Sequence, residues 1–108
     1  MVKISVSFKD EHIVRMTVTG HAQSASKGED LVCASVSSIT TGALNALDIL
    51  VHDACELKLT KGNDPVIDII VKEGKNRDVQ HILKAVLIQL KTLEETQGKY
   101  VHIQEVQL

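Results

Sequence analysis

Val2-Lys3-Ile4-Ser5-Val6-Ser7-Phe8 decides how this chain is read. Apolar side chains fall at every even position, with polar ones between them. That is the period of a strand with one buried face and one wet face. Lys9-Asp10-Glu11-His12 turns the chain. Val14, Met16 and Val18 then alternate with Arg15, Thr17 and Thr19, which predicts a second strand and a hairpin. Residues 21–30 carry no apolar pattern and read as a loop, with Gly28 near its end and Asp30 as a candidate N-cap.

A long helix follows. Val32, Val36, Ile39, Ala43, Leu47, Leu50 and Ala54 recur at intervals that mostly follow one helical face. Beside that stripe lie small residues, Ser37, Thr40 and Thr41, which suit either close packing or, for Ser37, the border of a site near Cys33. Residues 56–60 form a third strand, and Lys61-Gly62-Asn63-Asp64-Pro65 is a turn. Val66 to Val71 reads as a buried strand with one interior charge, Asp68. Asn76 or Asp78 caps a second helix with the stripe Val79, Leu83, Val86, Leu90 and Leu93, and Gly98 stops it. Tyr100, Val101 and Ile103 suggest a last strand. The order ββαββαβ predicts a single α+β domain over residues 1–108, an α/β sandwich. Its sheet is mostly antiparallel, with two helices on one face.

Composition narrows the function. With 108 residues and a net charge of −2, the chain is not suited to non-specific nucleic-acid binding. Phe8 and Tyr100 are its only aromatic residues, so no base-stacking platform is expected. No stretch reads as a membrane span, and Lys3 is followed by alternation rather than the apolar run of a signal peptide. Two cysteines without a secretion signal point to free thiols and the cytoplasm.

Those cysteines differ in setting. Gly20-His21-Ala22 ends the second strand pattern, and Cys33 opens the helix pattern twelve positions after His21. A thiolate at a helix N-terminus is favoured by the free N–H groups and the macrodipole, and a neighbouring imidazole takes its proton. Cys33 and His21 are therefore the candidate nucleophile and base, with free N–H groups of the first helical turn, including that of Cys33, as oxyanion donors. Asp30 either caps the helix or orients His21. Cys55, at the far end of the helix, reads as structural. His52 and Cys55 are spaced as metal ligands, but one helix would hold Cys33 and His52 roughly 28 Å apart. His21 and Cys33 alone are too few for a structural zinc site, so no metal or cofactor is expected.

The segments Gly20-His21-Ala22 and Gly28-x-Asp30-Leu31-Val32-Cys33-Ala34-x-Val36-Ser37 resemble the bacterial ribosomal-processing cysteine protease family, Prp. Its pattern is G-H, a variable loop, then G-x-D-[IV]-V-C-A-x-V-S, with Leu31 a mild variant. The resemblance implies a homodimeric endopeptidase that removes the N-terminal extension of a large-subunit ribosomal protein (bacterial number twenty-seven). It places the catalytic cysteine on Cys33, the histidine on His21, the loop aspartate on Asp30 and a serine on Ser37, with Gly20 in support. It also implies a mobile loop over the site. Many relatives carry an aromatic or acidic residue in that loop, where this chain has Ala22-Gln23-Ser24-Ala25-Ser26-Lys27. Two other classes fit a lone helix-start thiol: a thiol-based redox module, weakened by the lack of a nearby resolving cysteine, and a non-enzymatic ribosome-assembly partner.

Overall fold

The alternation at the start of the chain becomes β1 (Val2–Lys9), and its hairpin mate is β2 (His12–Thr19). The remaining elements are α1 (Lys27–Leu50), β3 (Cys55–Thr60), β4 (Val66–Val71), α2 (Arg77–Gln97) and β5 (Val101–Gln107). The structure, a computed structural model, describes residues 1–20, 27–62 and 65–108, with residues 27–29 as main chain only. The expected order ββαββαβ and the α+β class hold.

The strands form one five-stranded sheet in the order β3-β4-β2-β1-β5. All neighbours are antiparallel except β1 and β5, which run parallel from Val2↔Val101 to Phe8↔Gln107. The topology dictates where the helices go. α1 joins β2 to β3 across β4, and α2 joins β4 to β5 across β2 and β1. Each is a parallel crossover, and right-handed crossovers that leave antiparallel strands in opposite directions land on the same face. α1 therefore covers the β3–β4 side, and α2 covers the β1–β5 side. Val2, Ile4, Val6, Met16, Val18, Ile67 and Ile69 face this layer and are buried against Val32, Val36, Leu47, Leu83 and Leu90.

The other face of the sheet is polar. Arg15 forks onto Asp68 across the strands, Nε to Oδ1 at 3.0 Å and Nη2 to Oδ2 at 2.7 Å. Thr17 Oγ1 donates to Asp68 Oδ1 at 3.2 Å. The guanidinium holds the Asp68 carboxyl below the usual carboxylate range. Asp68 is thus an outward, paired charge rather than one inside a strand buried on both sides.

One buried polar residue was not visible in the apolar pattern. Pairing passes from Ser7↔Arg15 to Phe8↔Ile13, so Val14 is an extra residue in the hairpin. At this bulge the Ile13 N–H donates to Gln80 Oε1 at 2.8 Å, and Gln80 Nε2 donates to Ile13 O at 2.8 Å. Gln80, 4 % exposed, completes main-chain bonding that the bulge disturbs and pins α2 to the hairpin.

Three local expectations change. α1 starts at Lys27, so Asp30 lies within its first turn and does not cap it. An acidic residue there sits at the positive end of the macrodipole, which favours helix over loop. Gly98 does follow α2, but with φ −59° it is right-handed; the exit is closed instead by Tyr100 N–H to Gln97 O at 2.9 Å. Residues Asp30–Leu50 are long and apolar enough to cross a membrane, contrary to the sequence expectation. Their inner stripe of Val32, Val36, Ala43 and Leu47 is core against the sheet, the behaviour of a buried helix in a folded domain. Asn76, of the two candidate caps, is the one used: its Oδ1 accepts from Val79 N–H at 3.2 Å.

Candidate active site

Gly20 follows β2 in a conformation that disfavours a side chain. Its φ is +83°, and a Cβ there would overlap the Met1 carbonyl oxygen and lie 3.5 Å from Lys3 N. The chain turns off the sheet at this point, hard against the start of β1. The next residue is His21. It lies outside the described residues, as do 22–26, and with them most of the expected loop.

Cys33 sits on the second turn of α1, six residues past Lys27. This departs from the first-turn position expected. In a regular helix the N–H at this depth bonds the carbonyl four residues back, so Cys33 N–H is not among the free donors of the helix end. The thiol is free and half-buried against the core. Ser37, one turn on, is half-buried on the same flank. Thr40 is fully buried, with Oγ1 donating to Val36 O at 2.8 Å, so it serves packing. Asp30 is exposed near the helix start.

The flank that carries Cys33 has a direction. Ile39, Gly42, Ala43 and Ala46 line a groove with Ile82 and Ala85 of α2. At about 100° per residue, Cys33, Ser37 and Leu44 lie on the other side of the core stripe. They face away from α2, toward the β3 edge.

Cys55 is the second free thiol, at the opposite end of α1. Burial pushes its pKa up, and Lys72 only partly opposes this. A thiol held protonated is a poor nucleophile. In the native protein, iodoacetamide should therefore modify Cys33 at least about tenfold faster than Cys55 at neutral pH. Peptide mass mapping over time reads both rates, and equal rates would show that Cys33 has no advantage. His52 contacts Asp48 at 3.2 Å and Asp53 at 3.6 Å on the exposed surface. Among the described residues, no three His, Cys, Asp or Glu side chains gather as metal ligands.

The structure is thus a two-layer α+β domain with a free thiol on its first helix. The chain belongs to the Prp family of cysteine proteases: the family model described as "Cysteine protease Prp" matches residues 1–102. A ribosomal processing cysteine protease Prp from Staphylococcus aureus is 26% identical over 104 residues, covering 95% of this chain and 97% of that protein. The fold is shared with a Streptococcus mutans protein of known crystal structure, at a TM-score of 0.89 and 23% identity, covering 100% of this chain and 96% of that one. It is also shared with the S. aureus ribosomal processing protease Prp solved with a substrate peptide. There the TM-score is 0.84 and the identity 23%, over 97% of this chain and 99% of that one.

Proposed function

We propose that this chain is the endopeptidase that trims the N-terminal extension from a large-subunit ribosomal protein (bacterial number twenty-seven) during ribosome maturation. Cys33 is the nucleophile. His21 takes the thiol proton and returns it to the leaving amine, and water then releases the acyl group from sulfur. Asp30 and Ser37 support the site, and Gly20 sets the path of the chain into His21. The observation that carries this reading is the free Cys33 thiol on α1, within a family match that spans nearly the whole chain.

A redox module is less well supported. Cys55, the other thiol, stands at the far end of α1 and is held protonated. The compartment that fits is the cytoplasm, and the partner that fits is a peptide rather than a nucleic acid or a membrane. A homodimer is part of the same reading. Ile49 and Leu50 of α1 and Ile88 of α2 expose 77, 68 and 64 % of their surface, apolar area that a second copy would cover.

The test is to incubate the purified protein with the uncleaved ribosomal protein and measure product masses. Two products that sum to the substrate plus one water support the reading. An intact substrate under conditions that keep the enzyme folded overturns it.

A further inference from the structure

β3 is an edge strand, and its register shows which main-chain groups turn away from β4. Lys72 N–H donates to Ala54 O at 3.1 Å, which makes 54↔72 a hydrogen-bonded pair. Two-residue steps through the register make Glu56↔Ile70, Lys58↔Asp68 and Thr60↔Val66 hydrogen-bonded pairs as well. The N–H and C=O groups of Cys55, Leu57 and Leu59 therefore point out from the sheet, away from β4.

The same residues turn their side chains toward the helix layer. Leu59 is paired with Ile67 and Leu57 with Ile69, both buried on that face. Leu57 is half-buried, yet Leu59 is 46 % exposed, an uncovered apolar residue on a face otherwise roofed by helices. Leu59 lies in the cross-strand row Leu59–Ile67–Val18–Ile4. That is the end of the sheet where Gly20 leaves it and α1 begins its run back toward Cys55. The Cys33 flank of α1 faces this edge. An open strand edge and an uncovered leucine thus lie on the side of the molecule to which the Cys33 flank of α1 turns.

We infer that an extended peptide substrate docks as a sixth strand on the free edge of β3, with Leu59 forming the floor under a substrate side chain beside the scissile bond. The inference rests on the protease reading above and specifies how that site holds its substrate. Main-chain pairing to Leu57 and Leu59 gives affinity for any extended peptide, and Leu59 selects an apolar side chain at one position. The geometry also accounts for the polar character of the remaining edge: Glu56, Lys58 and Thr60 point to the opposite face, so the docked strand presents alternate side chains to α1 and to solvent.

The experiment is a backbone scan of a synthetic peptide spanning the N-terminal extension and its cleavage site. Each amide N–H in turn is replaced by an ester oxygen, which removes one donor and keeps the side chain. Strand addition predicts a period of two: about a tenfold loss of kcat/KM at alternate positions and little change between them, tenfold corresponding to about 1.4 kcal/mol. Leu59→Pro removes an outward N–H while leaving the bonds to β4, and should lower kcat/KM on the parent peptide by a similar factor. Leu59→Ala should raise KM for peptides with a bulky apolar residue beside the cleavage site and leave it unchanged for alanine there. If Leu59→Pro does not fold, the scan with the wild-type enzyme decides. A flat scan with efficient wild-type cleavage overturns strand addition and leaves the protease intact. Absence of cleavage of the unmodified peptide and of the whole ribosomal protein overturns the protease reading itself.

Discussion

Replacing Cys33 with alanine is expected to lower cleavage of the ribosomal-protein extension by more than about a thousandfold, because no other group in the proposed site forms the acyl intermediate. Serine at the same position should be similarly inactive, since an alcohol is far less acidic than a thiol and the same imidazole will not activate it. The fold should survive. Cys33 is only half-buried at the rim of the core, and alanine favours helix. Circular dichroism and the thermal midpoint check the fold, and product mass over time checks the activity. A Cys33→Ala protein that turns over normally would remove the thiol from the mechanism.

The second large effect is expected at Gly20, for a reason that is wholly main-chain. Alanine at φ +83° is strained, and its Cβ would overlap the Met1 carbonyl oxygen, so the start of β1 has to move. Strain and overlap together should cost about 2–4 kcal/mol, read as a lower urea midpoint. Activity measured well below that midpoint should fall as well, because Gly20 directly precedes the proposed base, His21. Gly42→Ala is the control. A Cβ at Gly42 meets nothing within 4 Å, and alanine in mid-helix should add about 1 kcal/mol. Equal stability of the Gly20→Ala and Gly42→Ala proteins would show that the Gly20 turn is not under steric control.

The elements were legible because their periods are unambiguous. The even-numbered apolar residues of β1 and the Val79–Leu83–Val86–Leu90 stripe of α2 each allow one reading. Strand order was not legible. The pairing of β1 with β5 is a contact between distant segments, and no local pattern encodes it. The start of α1 is not legible, because Gly28 and the polar residues around it look like loop; the helix begins at Lys27, which puts Cys33 in the second turn rather than the first. Gln80 is not legible either, because a glutamine interrupting an apolar stripe looks solvent-facing until the bulge at Ile13 supplies its partners. The site was legible in part. The four-residue spacing of Cys33 and Ser37 puts both on one flank of α1, while the proposed base, His21, lies outside the described residues. Leu59 carried no signal, since one leucine in a short strand looks like every other until the sheet shows it uncovered at an edge.

The parallel partnership of β1 and β5 has a consequence for how the enzyme comes into being. β1 is an interior strand only because residues 101–107 lie beside it. A nascent chain that has made β1 through α2 holds the thiol and most of the core, but leaves β1 as a long, regular edge that invites pairing with other chains. Closing that edge joins segments almost a hundred residues apart, the kind of contact that makes folding slow and cooperative. Of the five strands in this sheet, the one made after the others is therefore the one that shelters β1, and a chain shortened before β5 should aggregate through β1 rather than persist as a partly active protease.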